Sequence, residues 1–226
     1  MPAGTGKGRH AALRVCRHCG RRRNGAGTRA GAFEKSCQSF AALEHGGLCA
    51  GTLSVNLGLA QLKCDNLPAM LHESLVRHGL TPDRLVLEIT ETVLIDRSAY
   101  QIGKTLESLH DLGFQLSLDD FGTGFASLTH LRQFPVTGVK IDRSFITRVT
   151  TSHQDAVIVE TMINLAKGLG ISIVAEGVED ERQLAFLKGA GCTYAQGYFL
   201  APPLRDAASQ RAWLGGWPAK VKAAQD

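Results

Sequence analysis

From residue 52 onward the chain repeats one unit, a short β-rich run that ends in a polar residue and leads into a helical pattern. "TLSVNL" (52–57) ends close to Asn56, and the apolar spacing in "NLPAMLHESLVRHG" (66–79) predicts a helix closed by Gly79. "RLVLEIT" (84–90) carries Glu88, and residues 99–113 read as a helix that again ends in glycine. "FQLSLDD" (114–120) is a third strand and "TGVKID" (137–142) a fourth, followed by a long helical pattern over 155–170. "ISIVAEGVE" (171–179) precedes a helix over 180–191, and "CTYAQGYFL" (192–200) is a last strand before a helix over about 206–214. Runs that are apolar on both faces are strands buried between helices, hence a parallel sheet in an α/β fold. Two closures satisfy that pattern: an open doubly wound sheet, or a (β/α)8 barrel with about six of its eight units recognisable. No G-x-G-x-x-G turn follows the first strand, which counts against a dinucleotide-binding open sheet.

Each strand carries a polar group at or near its C-terminal end: Asn56, Glu88, Asp119 with Asp120, Lys140 with Asp142, Glu176 with Glu179, and Gln196. The steps between the leading residues are 32, 31, 21, 36 and 20 positions, about one β/α unit each. In a β/α barrel these strand ends converge on one mouth, where the active site lies. Asn56, Glu88, Asp119, Asp120 and Glu176 supply oxygen ligands only, which suits Mg2+, Mn2+ or Ca2+ and disfavours zinc. Five such groups exceed what one Mg2+ takes from protein and suggest two ions, an arrangement typical of enzymes that displace an oxygen at phosphorus. Asp119 is placed to bridge the pair and Asp120 to serve one ion. Lys140 adds a fixed positive charge that can steady a phosphate or orient a water. The reaction class this implies is metal-assisted phosphodiester hydrolysis.

Each residue also has a plainer explanation. A single Asp at a strand end is more often a helix cap or turn residue than a ligand, and Lys140 can snorkel to the surface. Six strand ends in succession with polar groups are harder to assign to turns. Gly122 and Gly124 allow a tight loop. The "CRHC" at 16–19 has no second pair at zinc spacing. Trp213 and Trp217 read as packing residues of the C-terminal helix.

Composition matters mainly at the N-terminus. Residues 1–33 hold eight Lys or Arg, seven Gly and no Asp or Glu, whereas from residue 51 onward 16 basic residues face 19 acidic ones. A disordered tail, a nucleic-acid or membrane arm, and non-native coding sequence all fit that bias. No apolar run approaches the roughly 18 residues of a membrane helix, and no signal-peptide core is present, so a cytoplasmic location without a membrane segment is expected. The six cysteines are scattered and expected to be reduced thiols.

"LVLEITET", "LSLDDFGTGFASL", "VKIDRSF", "IVAEGVE" and "AQGYFLAPP" together resemble the EAL-type cyclic-di-GMP phosphodiesterases of bacteria. "LSVNLGLAQL" is similar to that family's asparagine-bearing strand, and "FEKSCQSFAALEHGGL" (33–48) to the helix before it. The resemblance covers roughly residues 34–214. It implies a modified TIM-type (β/α)8 barrel that hydrolyses cyclic di-GMP to linear pGpG with Mg2+ or Mn2+, two ions in all. By matched position, Asn56, Glu88 and Asp119 are metal ligands, and Asp120 and Glu176 complete the second metal site. Glu176 also lies near the attacking water, which Lys140 orients, so Lys140 and Glu176 are the catalytic pair. Asp142, Glu179 and Gln196 support the pocket. Glu91 anchors the "DDFGTG" loop, which in the family lies between the metal site and a homodimer interface. Partners implied are cyclic di-GMP, a second copy of the chain, and regulatory or diguanylate cyclase domains in a full-length protein, with no DNA.

The departures are specific. Phe125 and Ala126 stand where the family has Tyr-Ser, and Gly58, Leu59 and Ala60 where it has Ser-Ala-Arg. The family's first two strands, with the Glu-Ala-Leu motif and its metal-ligating glutamate, are not found in this sequence. Residues 1–33 take their place and are expected to be disordered or translated from another frame, leaving 34–226 as an incomplete EAL-like domain. A second reading follows: a degenerate EAL-like domain that binds cyclic di-GMP or a protein without catalysis. A nucleic-acid-binding role led by the basic arm is the weakest reading, because the arm lacks interleaved aromatics.

Overall fold

The computed structural model describes residues 26–47, 51–95, 98–124 and 128–201, with the side chains of 26–30 and 128–130 left aside. Helix α1 (Ala26–His45) leads into β1 (Leu53–Asn56). Then α2 (Leu59–Leu62), α3 (Leu67–Arg77) and a 3-10 turn at Pro82–Arg84 return the chain to β2 (Leu85–Thr90). Helices α4 (Glu91–Leu94) and α5 (Ala99–Asp111) precede β3 (Gln115–Phe121), and α6 (Leu128–Gln133) precedes β4 (Gly138–Ile141). Helices α7 (Arg143–Ile146) and α8 (His153–Leu169) precede β5 (Ser172–Glu176), and α9 (Glu181–Ala190) precedes β6 (Tyr194–Gln196).

The six strands form one parallel sheet in the order β1-β2-β3-β4-β5-β6. Order in space equals order in sequence, so no strand reverses the winding. That separates the two closures left open above. A doubly wound sheet reverses at a switch point, whereas barrel strands follow one another round. The described residues are a half-barrel of the TIM type. Strand alternation puts Leu87, Leu118, Val139, Ile141, Ile173 and Ala175 on one face, all at most 1% exposed. They join one hydrophobic cluster with Ile102, Leu106 and Leu109 of α5 and Val159, Ile163 and Ala166 of α8. Each fully buried side chain of this kind contributes roughly 1.5–3 kcal/mol. The opposite face carries the polar residues of the strand ends.

Local chemistry sets the ends of the elements. Asp180 caps α9 through a capping box with Gln183, and Ser152 caps α8 by accepting from the Asp155 amide. Helix α8 ends on Gly170, whose φ of 70° only glycine adopts without strain. Strands β5 and β6 are shorter than the runs 171–179 and 192–200 suggest, because the chain bends immediately after Glu176 and Gln196. A Cβ on Gly197 would collide with the Val178 backbone, so the two segments cross in close contact just past the strand ends.

Helix α1 begins at Ala26, inside the segment expected to be unstructured. Gly27 and Gly31 make it a poor helix by itself. Its partners carry it: Cys37, Phe40, Ala41 and Leu43 are buried, Glu34 pairs with Arg77 of α3 and with His78 just after it, and Glu44 pairs with Arg84. Once that anchored stretch is helical, each further N-terminal residue adds a hydrogen bond at no nucleation cost. The remainder of the basic segment, the Cys16–Cys19 pair, Phe125 with Ala126, and the predicted helix with Trp213 and Trp217 lie outside the described residues. Cys37, Cys64 and Cys192 are free thiols. Among the described residues no helix is long and apolar enough to cross a membrane.

Candidate active site

The site is built at the carboxyl ends of β2 to β5. Lys140, 3% exposed, reaches into it from β4. Its Nζ lies 3.0 Å from Glu88 Oε2 of β2, 2.7 Å from Asp119 Oδ1 of β3 and 2.5 Å from Glu176 Oε1 of β5. Carboxylates from β2, β3 and β5 thus meet at one ammonium from β4. Burial opposes its charge, but the Glu88, Glu176 and Asp119 carboxylates outweigh that and raise the lysine above its ordinary range. Lys140 does not snorkel; it is the hub of the site. Burial pushes the Glu176 carboxyl upward, Lys140 pulls it down, and the Asp119 and Glu88 charges add to the rise.

The adjacent aspartates diverge because the strand is irregular. Leu118 pairs with Val139, but the next pairing is Phe121 with Ile141, so β3 spends one residue more than β4 over the interval. This is a bulge, and bulges re-aim side chains. Asp120 lies at its turn with φ 55°, a left-handed conformation that aspartate tolerates better than most residues. Asp119 is thereby directed to Lys140 while Asp120 stays exposed. Partial burial, then the charges of Asp119 and Asp142, raise the Asp120 carboxyl, with Lys140 opposing.

The following loop is tied down by Glu91, itself 3% exposed at the start of α4. Its Oε1 accepts a hydrogen bond from the Gly122 amide at 2.8 Å. A Cβ on Gly124 would collide with Glu91 Oε2, and one on Gly122 (φ 95°) with Met162 of α8. The loop therefore fits between Glu91 and α8 only as glycine.

The other expected residues fall into two groups. Asn56 is opposite Glu88 in register and Gln196 opposite Glu176, so both extend the same row of strand ends. Gln196 Oε1 is buried with no hydrogen-bond partner among the described residues. Asp142 caps α7 by accepting from the Ser144 amide at 2.9 Å, the plain reading of an Asp at a strand end. The Glu179 side chain is exposed; its amide, not its carboxylate, is engaged, donating to Gln183 Oε1 at 2.7 Å.

The donor set suits a hard divalent cation: Glu88, Asp119 and Glu176 surround the Lys140 ammonium, and among the described residues no group donates to the buried carbonyl oxygen of Gln196, opposite Glu176 in register. The spacing is that of an ion-pair cluster. Among the described residues no three His, Cys, Asp or Glu side chains stand together as a ready metal cage, because the ammonium occupies the point where the carboxylates meet.

A parallel β/α half-barrel with acids gathered at the carboxyl ends of its strands defines a barrel-type acidic site. Residues 30–203 match the EAL domain model, and the chain belongs to that family. It is 38% identical over 173 residues to the bifunctional diguanylate cyclase/cyclic di-GMP phosphodiesterase MucR of Pseudomonas aeruginosa, an alignment spanning 76% of this chain and 25% of the relative. A solved structure of the MucR phosphodiesterase in complex with c-di-GMP superposes with a TM-score of 0.74 at 36% identity, covering 81% of this chain and 73% of that one. Klebsiella pneumoniae BlrP1, solved with manganese and cyclic di-GMP, gives 0.68 at 30% identity over 77% of this chain and 45% of that one. The chain spans a quarter or less of the length of the first curated relatives it matches, 18% in one and 25% in another.

Proposed function

We propose that the domain hydrolyses cyclic di-GMP to linear pGpG with Mg2+ or Mn2+. The observation that carries this reading is the convergence of Glu88 of β2, Asp119 of β3 and Glu176 of β5 on Lys140 Nζ of β4. Support comes from the relatives named as cyclic di-GMP phosphodiesterases and from the manganese in the BlrP1 complex. Asn56, Glu88 and Asp119 would hold one ion, and Asp120 with Glu176 a second. Two bound divalent ions would supply charge neutralisation at the phosphodiester and a water acidified for attack. The chain's own residues do the rest. Lys140 keeps the carboxylates in place and orients the water. Glu176, its carboxyl raised by burial, is suited to take the water's proton. The water oxygen bonds to phosphorus, the bond to the leaving sugar oxygen breaks, and that oxygen takes up a proton. Gln196 supports the substrate side of the pocket, while Asp142 and Glu179 support its rim. Glu91 holds the glycine loop, and a homodimer and further signalling domains are the expected context.

A second reading is that the domain binds cyclic di-GMP without hydrolysing it. Incubating the chain with cyclic di-GMP and Mn2+, beside a Glu176→Ala variant, separates the two. Turnover that disappears in the variant supports catalysis; retention of bound nucleotide with no pGpG in either sample supports the receptor.

A further inference from the structure

A β/α barrel ordinarily fills the layer beneath its mouth with branched apolar side chains. Two positions before Asn56, Asp119 and Lys140 this chain has Ser54, Ser117 and Gly138. Strand alternation puts them on the same face as those residues, one layer lower. Ser172 of β5 lies opposite Gly138 in register. Ser54 is 8% and Ser117 3% exposed, and neither hydroxyl has a hydrogen-bond partner among the described residues. Ser172 Oγ donates to the Thr137 carbonyl at 3.1 Å, and its lone pairs remain able to accept.

Gly138 connects these hydroxyls. A Cβ there would collide with Ser172 Oγ and would lie 3.7 Å from Ser117 Oγ. Hydroxyls from β3 and β5 therefore face one spot above the Gly138 Cα, yet Ser117 does not bond to Ser172. A dry hydroxyl so deeply buried carries its whole desolvation penalty, whereas one water with two or more polar partners removes it. We infer that an internal water sits over Gly138, held between Ser117 Oγ and Ser172 Oγ, directly beneath the Lys140 cluster. The glycine gives the Ser172 hydroxyl room to lean over its Cα toward Ser117. This site is independent of any metal and of the proposed reaction.

The sign of one substitution tests it. Ser117→Ala removes an anchor of the water, so the thermal midpoint of the full chain should fall by about 2–4 °C. A dry hydroxyl predicts the reverse, because alanine abolishes an unmet desolvation penalty, and a rise would overturn the proposal. A crystal structure of the unaltered chain decides the matter even if the variant fails to fold. It should contain an ordered water within hydrogen-bonding distance of both hydroxyls; an empty spot, or Ser117 bonded to a protein group, rejects it.

Discussion

Lys140 Nζ and Glu88 Oε2 lie 3.0 Å apart with side chains only 4% and 0% exposed, so this ion pair is sealed from water by the strands that carry it. Removing one partner of such a pair leaves the other charge in a poor environment and costs about 3–5 kcal/mol. Lys140→Met should therefore lower the unfolding free energy by about that amount in a urea titration. Added Mn2+ should recover more stability in the variant than in the unaltered chain, since three carboxylates then lack their ammonium. No difference in the Mn2+ response would count against a cation-binding role for the cluster.

Glu91 acts on the site through backbone. Its carboxylate accepts from the Gly122 amide at 2.8 Å, so Glu91→Ala strands that donor. The expected cost is about 1–3 kcal/mol, with earlier protease cleavage near residues 122–124 than in the unaltered chain. Glu91→Gln keeps an acceptor and should restore most of the protection.

Asp120 is costly to the fold. Partial burial and the charges of Asp119 and Asp142 raise its carboxyl, which means that ionisation at neutral pH weakens the folded state. Asp120→Asn removes that charge and still tolerates the left-handed backbone. The side chain is exposed, so solvent screening limits the gain, and the melting midpoint without metal should rise by about 1 °C or less. If Asp120 serves an ion, the variant should also gain less than the unaltered chain when Mn2+ is added, and melting curves with and without Mn2+ check both statements.

Glu34 gives the pH dependence of the contact between α1 and α3. Hydrogen bonds from Arg77 and Ser74 lead, burial opposes, and His78 adds to the lowering, so its pKa falls from 4.5 to about 2. A depressed carboxylate stabilises the fold above its unfolded pKa, and that contribution fades as pH drops from about 4.5 to about 2. The side chain is 38% exposed, so solvent screening holds the effect to about 1 kcal/mol or less. Glu34→Gln should be less stable than the parent at pH 6 and converge with it near pH 2; a gap constant with pH would exclude this origin.

The parallel sheet, the strand-end row and the long helices were readable from the sequence because periodicity and spacing encode them directly. Helices α2, α4, α6 and α7 were not, since four to six residues are too few for a helical period to register. The extent of α1 was not readable because its helix is sustained by contacts with residues some 40 positions away, such as Ser74 with Glu34. Glu88, Asp119, Lys140 and Glu176 were recognisable as a group from one-unit spacing. What spacing could not give was the bulge that separates Asp119 from Asp120, a matter of register between β3 and β4. Nor could it distinguish Asp142 as a support of the pocket from Asp142 as a cap, since both call for an aspartate directly after a strand. The serine floor left a faint trace in the alternation of Ser54 and Ser117 with apolar neighbours.

The strand order carries a consequence for how the molecule comes to exist. Because each strand pairs with its predecessor, every hydrogen-bonded ladder closes a loop of one β/α unit. A closure of one unit costs less entropy than one that skips units, so the sheet can grow by accretion from any adjacent pair. Glu88, Asp119, Lys140 and Glu176 lie on four consecutive strands, and their charges meet as those ladders zip. A ribosome releasing residues 85–176 would have delivered the entire lysine cluster before α9 and β6 are made.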